Sequence, residues 1–334
     1  MVLVRWFVVC ENVHKAEVLE ALVANSNSNG GGRPSHLLHA LHAQALSDRM
    51  PNPGAPAPAC YGFVGVGTMS SAIVRGLCTL PLPPPKIVLS PRGAEKAAAL
   101  KSEFGSIISV AASNQEVVDQ SDVVFLGVLP KQMEEVARGL NFRQQQTVCS
   151  LASTTPMALL HECCAPVPSD QIVRAIPLPP VAKHRGATVM TPQHPALSRL
   201  FDALGTCVPV PSEELLKKML PVSCLMGQFY AQQRLTQQWL MQQGVDAAEA
   251  SKWTGAVFHC ISYDTASAGP HTFQELVDEQ TPGGLNEQVV RELTEAGMYT
   301  AMSDSLDGCL ARIEGRSAPK RSKRPYSSAF EQEQ

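Results

Sequence analysis

The chain has 334 residues, 17% of them charged and 5% aromatic, with a formal net charge of −3. That length exceeds one ordinary hydrophobic core and asks for one large or two medium domains. The low charge weighs against wholesale disorder and the near-neutral balance against a dedicated nucleic-acid binder. No apolar run approaches the ~18 residues of a membrane-spanning helix, so no membrane partner is expected.

Residues 1–59 open with MVLVRWFVVC and continue through NSNSNGGGRP and MPNPGAPAPA. Such Gly, Asn and Pro clusters cannot build a packed core, and the segment reads as a poorly ordered extension and linker. Glu11, Glu17 and Glu20 weigh against a transit peptide, which avoids acids. His36, His39 and His42 repeat every three residues, but no nearby Cys or carboxylate completes a metal site. The ten cysteines form no CxxC pair, so no metal is expected from them either. Scattered thiols in a chain this large read as buried or free in a reducing compartment, taken as the cytoplasm with organellar import left open.

From residue 60 the pattern changes. YGFVGVG is an apolar strand ending in glycines, SSAIVRGLCTL a helix, KIVLS a second strand and GAEKAAALKSEFG a second helix. ISVAA, DVVFLGV and TVCSLA are further strands, with EVVDQ and KQMEEVARGL between them. This alternation predicts an α/β, doubly wound and mainly parallel sheet, a Rossmann domain over 60–211. Beyond it the strands stop, and 212–315 reads as an all-helical domain for substrate and dimerisation. Leu216, Met219, Met226, Phe229, Tyr230 and Trp239 fall near helical spacing, as core or subunit interface, interrupted at Pro221. Gly244 fits a helix stop, and Asp246 with Glu249, and Thr272 with Glu275, read as capping boxes. Residues 316–334, with Arg316, Lys320, Arg321, Lys323 and Arg324, read as a solvated basic tail.

Gly65, Gly67 and Ser70 form GxGxxS where the first strand passes into a helix. Gly65 permits the tight turn, Gly67 lets the backbone approach a pyrophosphate, and the helix N-terminus behind offers unpaired N–H groups. An enzyme that prefers NAD usually carries Asp or Glu at the end of the second strand, for the ribose hydroxyls. Here that strand ends Ser90-Pro91-Arg92. A hydroxyl and a guanidinium suit a 2′-phosphate, so NADPH is expected over NADH.

These residues resemble the pyrroline-5-carboxylate reductase family. Its GFxGxGxM stands as Gly62–Met69, its next block as SNQEVVDQSDVVFLGVLP from Ser113 to Pro130, and its proline–glycine–glycine loop as Gln280-Thr281-Pro282-Gly283-Gly284-Leu285-Asn286. The likeness spans roughly 60–314. It implies a Rossmann domain followed by a helical domain, and an NAD(P)H-dependent reductase. To Gly65, Gly67, Ser90 and Arg92 it adds Val66, Thr68, Met69, Asn114, Val128, Pro130 and Ala152 on the cofactor. It places Gly283, Gly284 and Leu285 on the substrate, with Thr281 and Asn286 as catalytic residues. Four positions depart from the family pattern. Asn286 takes the place of the second threonine of the loop. Ser223–Phe229 replaces SGSGPAY. Ile176-Pro177-Leu178 replaces MPN or MTN, and Leu129 replaces the lysine of VKP.

Reduction of a cyclic imine needs a hydride donor, a source of a proton and a hold on the substrate carboxylate. The TPGGLN loop before a helix suits the third. Asn286 can orient a substrate but cannot supply a proton, and it suits a helix N-cap as well. Glu287 or water is left as the acid. The leading expectation is an NADPH-dependent reductase of a small cyclic imine, 1-pyrroline-5-carboxylate to proline or a related substrate. The alternatives are a β-hydroxyacid-type dehydrogenase, for which no matching lysine motif is found, and a non-catalytic NADP(H)-binding homologue with an eroded substrate site. No arrangement supports hydrolysis. The apolar stripe of the helical half and the family likeness imply a homodimer or a higher homo-oligomer.

Overall fold

Five short apolar runs, each followed by a helical segment, become five parallel strands. In a computed structural model, residues 60–266, 268–317 and 319 are described. The extension 1–59 with its histidine repeat, and most of the basic tail, lie outside the described residues. The strands are β1 (Tyr61–Val64), β2 (Ile87–Leu89), β3 (Ile108–Val110), β4 (Val123–Leu126) and β5 (Thr147–Ser150). The helices after them are α1 (Thr68–Cys78), α2 (Ala94–Phe104), α3 (Asn114–Gln120), α4 (Pro130–Arg138) and α5 (Met157–Cys163).

Three further strands complete the sheet: β6 (Ile172–Pro177), β7 (Gly186–Thr191) and β8 (Gly205–Pro209), with α6 (Pro195–Ala203) between the last two. The order is β3-β2-β1-β4-β5-β6-β7-β8. All neighbours run parallel except β6 and β7. The chain moves outward to β3 and then returns to the other side of β1, which makes the carboxyl ends of β1 and β4 the topological switch point, where nucleotides bind in such sheets.

The strands carry continuous apolar runs because both faces are covered. One face packs Phe63, Phe125, Ile73, Leu77 and Phe201, the other Val64, Leu126, Met133 and Leu160. Phe63 stacks on Phe125 with ring centroids 4.7 Å apart, and Phe201 meets Phe125 edge-on at 6.4 Å.

The chain divides between Pro211 and Ser212 into two compact units. The second holds α7 (Glu213–Ser223), α8 (Leu225–Gln242), α9 (Ala247–Asp264), α10 (Thr272–Asp278), α11 (Leu285–Glu295) and α12 (Met298–Ile313). Within it α7 packs on α12, α8 on α9 and α11 on α12. Ser212 caps α7 by accepting from the Leu215 N–H at 3.2 Å, and Asp246 caps α9 by accepting from Ala248 at 2.8 Å. Gly244, with φ +88°, ends α8 as expected.

Two local expectations are corrected. The break expected at Pro221 falls at Cys224, because the proline is held within the last turn of α7. Thr272 is the first residue of α10 and not its cap: its Oγ1 accepts from the Gly269 N–H behind it at 2.9 Å, and His271 takes the cap position. Of the apolar stripe only Leu216 is core, while Met219, Met226, Phe229, Tyr230 and Trp239 are exposed.

Candidate functional site

The loop after β1 is fixed by glycine geometry. Gly65 has φ +91°, and a Cβ there would lie 2.9 Å from both the Gly127 carbonyl oxygen and Val128 Cγ1. Its N–H donates to Ser90 Oγ at 2.9 Å. Gly93, with φ +87°, brings the β2–α2 loop so close that a Cβ would meet the Val66 carbonyl at 2.8 Å. The loops after β1, β2 and β4 thus interlock through backbone contacts that side chains would block.

Gly67 is different. Its φ of −83° suits any residue, and a Cβ there would meet nothing nearer than the Gly127 carbonyl at 3.8 Å. No contact among the described residues calls for glycine at 67, so the missing side chain leaves an open cradle in front of the backbone. Behind it, α1 has no side-chain cap and no acid in its first turn. The Ser71 N–H is bonded to the Gly67 carbonyl at 3.0 Å. The N–H groups ahead of it face outward with the helix dipole, a donor set suited to a phosphate.

The remaining residues expected on the cofactor follow β2 to β5. Because those strands are parallel, Ser90, Arg92, Asn114, Val128, Pro130 and Ala152 gather at the same edge of the sheet as Gly65–Met69. Thr68 is exposed and Met69 half-buried. Asn114 is half-buried in the first turn of α3, where Ser113 caps by accepting from Glu116 at 3.1 Å. Val128 is half-buried and Pro130 opens α4. Arg92 is exposed, and its guanidinium finds no partner among the described residues.

Two assignments change. Ser90 is fully buried with its Oγ on Gly65, so it braces the turn and does not reach a 2′-phosphate. Ala152 belongs to the hydrophobic core, and its N–H donates to Ser150 Oγ at 3.3 Å. One cation escaped the sequence reading. Lys96, in the first turn of α2, reaches back to place Nζ 3.1 Å from Thr68 Oγ1, beside the loop after β1. A cavity of about 300 Å³ opens there between α1 and α2, lined by Thr68, Ser71, Arg75 and Lys96. Arg75 is already paired with Glu103, whereas Arg92 is exposed and Lys96 lines the cavity.

Among the described residues of this unit, burial disfavours thiol reactivity. Burial pushes Cys78 up to about 11 and Cys164 and Cys207 to about 12, so these thiols stay neutral and inert at physiological pH. Among the described residues, no cluster of three His, Cys, Asp or Glu could hold a metal ion, and no helix is long and apolar enough to cross a membrane.

In the helical unit, Thr281–Gly284 forms a tight turn. The Gly284 N–H donates to the Thr281 carbonyl at 2.8 Å and Gly283 has φ +73°. Pro282 followed by a glycine of positive φ is the pattern of a type II turn. Gly284 caps α11 with no side-chain bond. Asn286 is therefore not the cap. It sits exposed in the first turn of α11, next to Leu285, which is 81% exposed. Thr281 is exposed as well. A cavity of about 390 Å³ flanks the turn, lined by Asp278, Gln280, Pro282, Gly283, Glu287 and Arg291. Glu287 pairs with Arg291 at 3.3 Å.

Residues 60–154 match the family model described as NADP oxidoreductase, coenzyme F420-dependent. The chain is 26% identical over 265 residues to pyrroline-5-carboxylate reductase of Corynebacterium melassecola, an alignment that covers 75% of this chain and 96% of the relative. The resemblance to pyrroline-5-carboxylate reductases holds. Among solved structures, the pyrroline-5-carboxylate reductase of Coxiella burnetii shares the fold with a TM-score of 0.66 at 22% identity, covering 79% of this chain and 100% of that one. The Plasmodium falciparum pyrroline carboxylate reductase, solved with NADP bound, gives 0.63 at 14% identity, covering 78% and 99%. The chain is an NAD(P)H-dependent oxidoreductase of the reductase type. Against the family pattern Leu178 is half-buried just past β6, Leu129 is exposed before α4, and Ser223–Phe229 spans the α7–α8 junction.

Proposed function

We propose that this chain uses NADPH to reduce the C=N bond of a small cyclic imine, with 1-pyrroline-5-carboxylate, giving proline, as the first substrate to test. The observation that carries the reading is the open, uncapped cradle at Gly67, beside a β2 end, Ser90–Arg92, that holds a cation and no carboxylate; Glu95 and Lys96 follow in the first turn of α2. In this reading the N–H groups of Thr68, Met69 and Ser70 bind the pyrophosphate. Arg92 and Lys96 bind the 2′-phosphate, which an acid at the same place would repel. Bound there, the dihydronicotinamide supplies the hydride. Asn114 and Val128 flank the adenosine and the mid-section of the dinucleotide.

On the helical unit, the backbone N–H groups that follow the Thr281–Gly284 turn suit the substrate carboxylate, since the helix end offers unpaired donors and the glycines allow close approach. Asn286 orients the ring through its amide and Thr281 adds a hydroxyl. Neither an amide nor a hydroxyl of ordinary acidity supplies the proton that the ring nitrogen needs. Glu287 is engaged by Arg291, which leaves water as the proton source. The relatives named pyrroline-5-carboxylate reductase support this substrate. The four departures from their pattern support a panel of other cyclic imines as the next test.

We further propose a homodimer or higher homo-oligomer built through the helical unit. Its long helices α8 and α9 bury little within one chain and expose Trp239, Trp253, Tyr230 and Ile261. A second copy of the chain would cover that surface.

The exposed Asn286, where the family pattern has a hydroxyl, favours a second reading: an NADP(H)-binding homologue without turnover. Proline formation from 1-pyrroline-5-carboxylate and NADPH, followed by mass spectrometry, separates the two. Product that depends on the chain supports the reductase. Tight NADPH binding with no product from any imine of the panel supports the second reading.

A further inference from the structure

The first two helices of the sheet unit meet along a seam with two polar rungs. Lys96 donates from Nζ to Thr68 Oγ1 at 3.1 Å, and Arg75 pairs with Glu103. The rungs are seven residues apart on each helix, about two turns, so Thr68 and Arg75 share one face of α1, and Lys96 and Glu103 one face of α2. The fold fixes this seam. α1 packs on α2, Ala97 and Leu100 of α2 are buried, and Gly93, with φ +87°, brings the start of α2 onto the Val66 carbonyl. That close approach sets the first turn of α2 opposite the first turn of α1. The two rungs differ in charge. The second joins a cation to a carboxylate and is neutral. The first joins a cation to a hydroxyl, which orients the ammonium without neutralising it. Glu95 points elsewhere, since residues one apart on a helix do not face the same way.

We propose that Thr68 is a positioning residue for cofactor specificity: its hydroxyl holds Lys96 towards the 2′-phosphate of NADPH and so favours NADPH over NADH. The inference rests on the reading above that Lys96 meets that phosphate. An ammonium can only donate, so Thr68 Oγ1 is the acceptor and its own hydrogen is turned away from the lysine. Lys96 is exposed, and an exposed lysine samples many rotamers. Held at Thr68, it loses less freedom when the phosphate arrives, which strengthens binding without a new contact to the ligand. NADH carries a hydroxyl at the same place and gains nothing from an oriented cation there. The cavity lined by Thr68, Ser71, Arg75 and Lys96 gives the lysine side chain room to swing away once the hydroxyl is removed.

The test titrates NADPH and NADH by fluorescence into the full chain as wild type, Thr68→Val, Thr68→Ser, Lys96→Met and the double variant Thr68→Val with Lys96→Met. Thr68→Val keeps the shape and the backbone N–H and removes the hydroxyl. It should lower the preference for NADPH over NADH about 3- to 5-fold, the effect of one side chain left to be immobilised on binding, and Thr68→Ser should retain the preference. In the Lys96→Met background, Thr68→Val should change the preference no further. A ratio of two ligands is insensitive to folding, since a partly unfolded variant loses both nucleotides alike. A wild-type preference in Thr68→Val beside a lowered one in Lys96→Met would overturn the inference and leave the 2′-phosphate reading standing. An equal shift with and without Lys96 would overturn it too, because the hydroxyl would then act alone. A wild-type preference in Lys96→Met would overturn the reading itself, and the inference with it.

Discussion

Replacing Gly67 by Ala separates a glycine kept for a ligand from one kept for the fold. At φ −83° an alanine is unstrained, and it restricts the unfolded chain, a gain of about 0.4–1 kcal/mol. It also replaces a tolerated N-cap by a poor one, a loss of about 0.5–1 kcal/mol. The two nearly cancel, so global stability should move by less than ~1 kcal/mol. The new methyl enters the open cradle, with 3.8 Å to its nearest protein atom, and holds a phosphate away from the N–H groups of α1. Losing one charge-assisted bond of about 1.5–3 kcal/mol weakens NADPH about 10- to 100-fold. Gly65→Ala should do the reverse. Left-handed backbone costs ~1–2 kcal/mol, and the 2.9 Å approaches to Gly127 and Val128 add ~1–3 kcal/mol of overpacking. Urea unfolding and NADPH fluorescence titration, run on both variants, read the two effects. Wild-type NADPH affinity in Gly67→Ala, or a stability loss there as large as in Gly65→Ala, would refute the reasoning.

Three further outcomes follow from the same structure. Arg92→Ala and Lys96→Ala should each weaken NADPH by about 10-fold while leaving NADH unchanged, given one exposed charge-assisted contact apiece; equal losses for both nucleotides in titration would reject a 2′-phosphate role. His194 is a neutral cap of α6, with Nδ1 accepting from the Leu197 N–H at 3.3 Å and Nε2 donating to Gln171 at 3.1 Å, and burial holds its pKa below the ordinary 6.5. The unfolded chain therefore takes up a proton at this site before the folded one does. The stability it contributes is present above about pH 6.5 and declines as pH falls. His194→Asn should flatten that acid limb in denaturant melts, and an unchanged pH profile would contradict the assignment. Trp239→Glu should loosen the oligomer by ~2 kcal/mol or more, about 30-fold in Kd, and sedimentation that finds a monomer for both wild type and variant would remove the interface.

The fold class was legible because β1, GxGxxS and α1 combine three independent signals in one short stretch: an apolar run, glycines at its end and helical spacing behind. β6 to β8 were not picked out individually. β6 carries Arg174, fully buried with its guanidinium on the Thr155 carbonyl, and a charge in mid-run hides a strand. β8 is led by Gly205 and alternately exposed, so it resembles a loop. Ser90 was misread for a different reason. A serine that ends a strand looks the same in sequence whether it turns outward or inward, and only the Gly65 N–H decides. Lys96 went unnoticed because its reach to Thr68 depends on how α2 leaves Gly93. In the helical half the apolar stripe was visible, but periodicity alone does not say whether a partner helix of the same chain covers it.

The central claim is hydride transfer to an imine carbon. The most direct measurement supplies the chain with NADPH deuterated at the transferable C4 position, together with 1-pyrroline-5-carboxylate and, in parallel, other small cyclic imines. The account predicts one deuterium in the product at the former imine carbon, with NADPH used in preference to NADH. Saturable NADPH binding with no deuterium in any product would contradict it.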